Sequence, residues 1–301
     1  MNKVILNALL NLEKNKSVVE KFEYKNKNYI IKKNLEIYTI KDVKNKQKTL
    51  KKLSKNNINV AKIVKVFKFN NNIYEIQEFI DGNNYESKFK KELYNSLGKM
   101  HKLSTKSKLP CSTKNFYHFN FECRNIKLNK LLIDFEYKFY KIPEQNLEKI
   151  INENFNIKKT LNEILNEYTI IFNEEKNKIN NNNIVLCHND LSDFNVLVKN
   201  NEIYFIDFDF YKYNYVYCDL VDAFLSRKLE LVEFLNNFNN FKKDMLEIID
   251  IYNKYISINY KSFLNCIKLK LISSYFYFIY YTENKEERTK NIEILSSILK
   301  L

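Results

Sequence analysis

Glycine and proline are nearly missing from this chain of 301 residues, which contains two of each. The P-loop and the dinucleotide-binding loop are both built on closely spaced glycines, whose backbone approaches the phosphates. With only Gly82 and Gly98, the chain has no such loop. The sequence therefore excludes P-loop kinases and Rossmann enzymes, and it predicts that asparagine and aspartate form the turns that need left-handed backbone.

Closely paired cysteines and long apolar runs are missing as well. The five cysteines are odd in number and show no short paired spacing, so we expect neither a disulfide framework nor a zinc site. No run of eighteen apolar residues appears, and the first residues are too polar for a secretory signal. We therefore expect a soluble cytoplasmic protein with no membrane partner.

The chain carries a net charge of +14, yet its lysines are spread out and interleaved with asparagine, glutamate and apolar residues. This pattern is typical of a solvated lysine-rich surface and supports a nucleic-acid partner poorly. Because 45% of the residues are hydrophobic, the chain can bury one or two sizeable cores.

Polar residues follow apolar strands at two places, residues 184–195 and residues 203–209. The first contains the spacing His-x-Asp-x-x-x-x-Asn, and the second ends in an aspartate. This arrangement suits phosphoryl transfer, which asks the protein mainly for positioning and charge neutralisation. Asp190 would lie near the acceptor hydroxyl, while Asn195 and Asp207 would bind Mg²⁺. Asp209 lies on the same face of an extended segment as Asp207 and would assist it.

The segments HNDLSDFN at 188–195 and IDFD at 206–209 resemble the paired signature of the aminoglycoside phosphotransferase and choline kinase superfamily. The distance from IDFD to Asp219-Leu220 resembles the spore-coat kinases of the CotS type. The resemblance implies an α+β, two-lobed, protein-kinase-like fold. Residues 1–80 would form the small nucleotide-binding lobe, a β-sheet with one helix and a leading helix. Residues 81–301 would form the large, mainly helical lobe for catalysis and acceptor binding.

Hydrophobic periodicity predicts the elements that a small lobe of this kind requires. They are a leading helix at 3–15, strands at 18–24 and 29–33, a helix at 42–56, and strands at 63–69 and 73–79. In this order the resemblance assigns Lys32, in the segment YIIK, to the ATP phosphates. Lys33 is the alternative, because a slip of one residue reverses the faces of a strand.

Residues 74–82 resemble the interlobe hinge of the family, in which the backbone of Gln77, Glu78 and Phe79 would bind adenine. Gly82 at the end of this segment indicates a backbone conformation that favours glycine. The chain departs from the family at the helix glutamate that pairs with the lysine, because no acidic residue lies between Asp42 and Glu75. Either that role is missing, or Asp42 or a more distant residue supplies it.

Asn189 stands where the family usually has glycine, a mild departure because asparagine tolerates left-handed backbone. We expect His188 to brace the catalytic loop by packing and His101 to pack at the end of a helix at 86–104. Asp219 would cap a helix and bond the catalytic-loop backbone.

Further helices are predicted at 124–181 with a break at Pro143, and at 231–241, 245–255, 260–281 and 290–299. Residues 116–121 form an aromatic cluster.

Three hypotheses about function are consistent with these patterns. The first is an ATP- and Mg²⁺-dependent kinase that phosphorylates a hydroxyl of a small molecule, choline-, sugar- or aminoglycoside-like. Aminoglycosides rank lower, because the segment at 124–181 is not conspicuously acidic. The second is a CotS-like protein of the spore coat with weak or no kinase activity, which the missing helix glutamate suggests and whose partners would be coat proteins. The third, a nucleic-acid-binding protein, has the least support.

Overall fold

The computed structural model describes residues 3–15, 18–36, 38–111, 155–225, 238–281 and 284–298. The chain forms two compact units. The first unit is Met1–Asn115 with Asp190–Tyr213, and the second is Phe116–Asn189 with Asn214–Leu301. The predicted aromatic cluster at 116–121 and the break at Pro143 lie outside the described residues. The lobe boundary at residue 80 stays a prediction.

The first unit begins with two helices and four strands, and all six elements follow the predicted order. They are α1 Lys3–Lys14, β1 Val19–Tyr24, β2 Lys27–Lys33, α2 Ile40–Lys55, β3 Ile63–Phe69 and β4 Asn72–Glu78. The strands form an antiparallel sheet in the order β1-β2-β4-β3. The predicted α+β fold is thus confirmed, with its antiparallel sheet in the N-terminal part of the chain.

The core of this sheet forms where α1 covers one face. Ala8, Leu9 and Leu12 of the helix are buried and belong to one hydrophobic cluster with side chains of β2 and β4, which include Ile31 and Tyr74. The three helix positions recur at intervals of one and three residues, so they share the face that turns toward the sheet. Burial of this face is what holds the leading helix to the strands.

Helix α2 begins at a capping box. The Thr39 side chain accepts a hydrogen bond from the Asp42 N–H, and the Asp42 carboxylate accepts one from the Thr39 N–H. This reciprocal pair satisfies two N–H groups that the first turn of a helix leaves without partners. Asp42, one of the residues considered as a partner for the nucleotide lysine, therefore has a role at the start of the helix.

The first unit continues with a second small sheet and the helix α3. Its elements are β5 Asn83–Asn84, α3 Lys90–Lys106, β7 Val196–Lys199 and β8 Glu202–Phe205, and the sheet has the order β5-β7-β8. Gly82 precedes β5 without left-handed backbone. A Cβ there would lie 3.0 Å from the carbonyl oxygen of Val198. The expectation of a special backbone conformation at Gly82 is thus wrong, and close approach to β7 explains the glycine instead.

Asparagine forms most of the left-handed turns in the described residues, and neither glycine does so. The positions with positive φ are Lys25, Asn26, Asn57, Asn70, Asn71, Asn189, Asn200, Asn201 and Asp207. Three pairs of these positions close hairpins, between β1 and β2, β3 and β4, and β7 and β8. The prediction that asparagine and aspartate replace glycine in the turns is confirmed.

The second unit is mainly helical. Its described elements are α4 Phe155–Asn177, β6 Ile184–Cys187, the last two residues of β9 Lys212–Tyr215, α5 Tyr217–Leu225, α6 Phe238–Tyr252, α7 Tyr260–Tyr281 and α8 Lys285–Ile298. The predicted break between helices at 241 and 245 is wrong, because residues 242–244 contain no helix breaker and α6 runs through them. Strand β9, which pairs with β6, was not predicted.

In the described ranges, no helix combines the length and apolar character that crossing a membrane requires.

Replacement of Leu9 by alanine should destabilise the first unit, because the Leu9 side chain is fully buried between α1 and the sheet. We expect the free energy of unfolding to fall by about 2–5 kcal/mol. Leu10→Ala is the matched control, because Leu10 is 52% exposed on the same helix. Urea denaturation followed by circular dichroism measures both. Equal effects of the two substitutions would contradict the packing of α1 on the sheet.

Candidate active site

The loop after β6 brings Asp190 and Asn195 together in the first unit. The Asn195 side-chain Nδ2 donates to the backbone oxygen of Asp190 at 2.7 Å and to its carboxylate Oδ2 at 3.2 Å. A 3-10 turn at Asp193–Asn195 gives the loop this curvature. Since the Asn195 amide nitrogen is engaged with Asp190, the amide oxygen is the atom of this side chain that suits a metal ion.

Asp207 follows the hairpin of β7 and β8 and is held near Asn195 through the backbone. The Ile206 N–H donates to the carbonyl oxygen of Asn195 at 3.0 Å, and Asp207 is the next residue. Its backbone is left-handed, with φ of 60°. Such a conformation is uncommon outside glycine and is tolerated best by asparagine and aspartate. The Asp207 side chain is 41% exposed, so its carboxylate remains accessible.

Lys32 reaches Asp207 from β2. Its Nζ lies 2.5 Å from Asp207 Oδ1 and 2.8 Å from Asp209 Oδ2. Burial lowers the pKa of Lys32, but the carboxylates of Asp209 and Asp207 outweigh it and raise that pKa above its ordinary value. Lys32 is therefore a fixed cation between two carboxylates. Lys33, the alternative, lines a separate groove with residues of α1 that include Leu12 and Glu13.

Asp209 is bound on both sides by lysines. Its Oδ1 lies 2.9 Å from the Nζ of Lys46, while its Oδ2 contacts Lys32. Burial raises the pKa of Asp209, but Lys46 and Lys32 outweigh it and hold that pKa well below its usual range. Asp207 and Asp209 thus differ in accessibility, since one is partly exposed and the other is enclosed by two cations.

A second buried ion pair lies behind these residues. The Nζ of Lys46, on α2, lies 2.8 Å from Oε1 of Glu75, on β4. Oε1 of Glu75 also accepts a hydrogen bond from Gln77 Nε2 at 2.5 Å. Neither Lys46 nor Glu75 was predicted as a member of the site. The sequence shows that the helix lacks the expected glutamate, but it does not show which side chains take its place. The register of the sheet, which pairs Glu75 with Lys32 across β2 and β4, is what brings Glu75 into this site.

The predicted hinge residues lie at the end of β4. The Glu78 N–H donates to the carbonyl oxygen of Lys62 at 2.9 Å, and the Phe79 N–H donates to that of Asn28 at 3.2 Å. Gln77 pairs with residues of both neighbouring strands, and its side chain binds Glu75. An adenine contact through the N–H groups of Glu78 or Phe79 requires them to exchange these acceptors, and the hinge role stays a prediction.

In the second unit, Asp219 holds the backbone that leads into the catalytic loop. Its carboxylate accepts hydrogen bonds from the N–H groups of His188 at 2.7 Å and Asn189 at 2.8 Å. The predicted bond from Asp219 to the catalytic-loop backbone is confirmed, although Asp219 lies inside the first turn of α5 rather than before it. Asn189 has left-handed backbone, as expected for a residue in place of glycine. His188 is buried, and its bracing role stays a prediction.

The profile of the phosphotransferase enzyme family, APH, matches residues 21–245. The chain belongs to the phosphotransferase enzyme family. This membership confirms the predicted superfamily and the predicted class of enzyme, a small-molecule phosphotransferase. The match to the family does not show that the chain belongs to the CotS branch. No similar protein is found among those with curated functions.

Three solved structures illustrate the shared fold. The amicoumacin kinase hAmiN, in complex with AMP-PNP, Ca²⁺ and Ami, has a TM-score of 0.62 at 15% identity, over 94% of this chain and 85% of that one. The choline kinase LicA from Streptococcus pneumoniae has a TM-score of 0.56 at 13% identity, over 94% and 90%. An aminoglycoside phosphotransferase from Alicyclobacillus acidocaldarius has 0.54 at 14% identity, over 94% and 86%. At such low identity, the likeness of this phosphotransferase to them is one of fold.

Within this phosphotransferase, four predicted site residues form two contacting pairs. Lys32 contacts Asp207, and Asn195 contacts Asp190. His101, which was expected to pack at the end of its helix, is buried within α3, and the Ser104 hydroxyl donates to its carbonyl oxygen at 2.6 Å. The roles of all these residues in binding and catalysis stay predictions.

Asp219→Asn should destabilise the second unit, because the amide can accept only one of the two hydrogen bonds that the carboxylate accepts. We expect a loss of about 1–3 kcal/mol in the free energy of unfolding. Asp222→Asn is the matched control on α5, where Asp222 forms a partly exposed ion pair with Lys270 at 2.7 Å. Its loss should cost about 0–1 kcal/mol in urea denaturation. An Asp219→Asn protein as stable as the control would contradict the anchoring role.

Proposed function

We propose that this phosphotransferase transfers the γ-phosphate of Mg²⁺-ATP to a hydroxyl group of a small molecule. The observation that carries the proposal is the contact between Lys32 and the partly exposed Asp207, 2.5 Å apart, beside the loop of Asp190 and Asn195. A cation for phosphates and a carboxylate for a metal ion are thus adjacent. Phosphoryl transfer depends mainly on such positioning and charge neutralisation.

The oxygen atoms of Asp207 and Asn195 fit Mg²⁺. This ion prefers carboxylate and carbonyl oxygens, and it commonly keeps several waters besides one or two protein ligands and substrate phosphates. The Asp207 carboxylate is 41% exposed, and Asn195 directs its amide nitrogen to Asp190. When bound, Mg²⁺ would neutralise charge on the phosphates. Asp209 is less suited to this role because both of its oxygens already contact lysines.

Lys32 would hold the phosphates of ATP. Its raised pKa keeps the ammonium group charged at neutral pH, and its position on a sheet strand limits its movement. A lysine that already forms ion pairs with two carboxylates loses little additional freedom when it binds a phosphate oxygen. The backbone of Gln77, Glu78 and Phe79 remains our proposal for the adenine contact.

Asp190 would accept the proton of the acceptor hydroxyl as that oxygen bonds to the γ-phosphorus, while the bond from the γ-phosphorus to the bridging oxygen breaks and ADP leaves. The hydrogen bond from Asn195 to Oδ2, 3.2 Å long, fixes the orientation of the carboxylate. The same asparagine would therefore orient the base and bind the metal ion that positions the phosphate. In this proposal, one short loop carries both the residue that contacts the acceptor hydroxyl, Asp190, and a ligand of the metal ion on the nucleotide, Asn195.

Hydroxyl-bearing small molecules are the acceptor class that we propose. The structural neighbours are named as kinases of amicoumacin, choline and aminoglycosides, which supports this class without selecting a member. In members of the family the segment that matches 124–181 builds part of the acceptor pocket, and residues 124–154 of it lie outside the described residues. A CotS-like role in the spore coat, with weak or no catalysis, is the second candidate. The departure that suggested it is the missing helix glutamate, since no acidic residue lies between Asp42 and Glu75.

Asp207→Ala should weaken binding of Mg²⁺-ATP by at least about tenfold, because it removes a metal ligand. Isothermal titration calorimetry measures the dissociation constant, with a micromolar value expected for the wild type. Glu202→Ala is the control, because Glu202 is an exposed carboxylate on the same hairpin. In excess chelator Asp207→Ala should bind ATP no more weakly than the wild type, because the substitution then removes only a carboxylate that competes with the phosphates for Lys32. A weakening that persists without Mg²⁺ would show that Asp207 acts other than through the metal.

Asp190→Asn should lower turnover by about 10²–10⁴-fold, because the amide cannot accept the hydroxyl proton. The dissociation constant for Mg²⁺-AMP-PNP should stay within about twofold, since the proposal gives Asp190 no contact with the nucleotide. ADP release over a panel of amino alcohols, sugars and aminoglycosides provides the assay. Asp193→Asn, in the same loop, is the control. Turnover that survives in Asp190→Asn would contradict the role of Asp190.

A further inference from the structure

We propose that Lys46 is a positioning residue of the nucleotide site, which acts through Asp209 on Lys32. The inference rests on the proposed function, because it assigns Lys32 to the phosphates of ATP. It goes beyond that function in naming the side chains that hold Lys32 in place. Helix α2 contributes a lysine to this part of the unit, and the partner carboxylates come from β4 and from the segment after β8.

Five charges that alternate in sign form a row through this part of the first unit. Glu75 contacts Lys46 at 2.8 Å, Lys46 contacts Asp209 at 2.9 Å, Asp209 contacts Lys32 at 2.8 Å, and Lys32 contacts Asp207 at 2.5 Å. The five side chains come from β4, α2, β2 and the segment that follows β8. Each internal member of the row therefore has an opposite charge on both sides.

Burial makes the end of this row at Glu75 and Lys46 rigid. Lys46 is 3% exposed and Glu75 is fully buried. A buried charge without a partner is strongly destabilising, so neither side chain can leave the other without cost. Burial lowers the pKa of Lys46, but Glu75 and Asp209 outweigh it and raise that pKa. Gln77 donates to the same oxygen of Glu75 that binds Lys46, which restricts the carboxylate further.

Lys46 determines how strongly Asp209 attracts Lys32. With Lys46 present, the negative charge of Asp209 is shared between two ammonium groups, one at each carboxylate oxygen. If Lys46 is removed, Lys32 remains as the ammonium group at Asp209. The full negative charge of Asp209 then attracts Lys32 more strongly. A phosphate oxygen would then compete with a stronger carboxylate partner. The expected result of losing Lys46 is weaker nucleotide binding.

The test compares Lys46→Met, Glu75→Gln and the double variant with the wild type. Calorimetry gives the dissociation constant and stoichiometry for Mg²⁺-AMP-PNP, and thermal denaturation gives the melting temperature. We expect Lys46→Met to weaken binding by about tenfold or more, by analogy with other losses of positioning. Lys48→Met is the matched control, because Lys48 is an exposed lysine on the same helix.

The double variant separates positioning from stability. Adding Glu75→Gln to Lys46→Met removes one uncompensated buried carboxylate, so the melting temperature should recover. Nucleotide affinity should remain low, because Asp209 still lacks Lys46. The double variant also provides the measurement if Lys46→Met alone does not fold.

A purely structural Lys46 would lower the melting temperature and the fraction of competent protein but leave the dissociation constant of that fraction unchanged. That outcome, or affinity that recovers with the melting temperature in the double variant, would overturn the inference alone. A folded wild type that binds no nucleotide would overturn the proposed function and the inference together.

Discussion

The neutralisation of Asp209 is the constraint on which the site depends. A carboxylate that is 8% exposed needs opposite charge nearby, and Asp209 receives it from Lys32 on β2 and Lys46 on α2. These two contacts connect a strand and a helix of the first unit to the segment that carries Asp207. The position of the metal-binding candidate is thus tied to the ion pairs of its neighbour two residues later.

The same network accounts for the departure of the chain from its family. A carboxylate in place of Lys46 would have met Glu75 and Asp209, and like charges in a buried site repel each other strongly. The ammonium group of Lys46 neutralises both carboxylates, while Asp42 completes the capping box at the start of the helix. The helix therefore contributes a cation to the site and the strand contributes the anion. The absence of the helix glutamate is consistent with an intact charge network.

Backbone conformation at the site depends on asparagine and aspartate rather than glycine. Asn189 and Asp207 both have φ of 60°. Asparagine and aspartate tolerate this conformation better than most residues, because a short polar side chain can bond locally. Asp219 bonds the N–H of Asn189, and the backbone oxygen of Asn195 accepts from the residue before Asp207. A chain with two glycines can therefore build two loops of the kind that other proteins make with glycine.

The local elements of the first unit followed from the sequence, because their physics is local. Alternating apolar residues, asparagine turns and a capped amphipathic helix each depend on residues within a few positions of one another. The spacing within 188–195 and 206–209 also singled out Asp190, Asn195 and Asp207 as candidates, since the two segments are one loop and the end of the adjoining hairpin. Strand β9 was missed because its four residues, three tyrosine or lysine side chains and an asparagine, show no clear period.

The sequence by itself determined the family and the order of the helices and strands from residue 3 to residue 78, and it singled out the candidate residues of the site. Tertiary structure alone decided the partners of the buried charges. The register of the sheet sets Lys32 opposite Glu75. Packing brings Lys46 within 3 Å of Glu75 and Asp209, which lie 29 and 163 positions from it along the chain. No local sequence pattern predicts contacts between residues so far apart in the chain. Each ion pair forms because burial removes the water that would otherwise solvate it, and burial is a property of the folded unit.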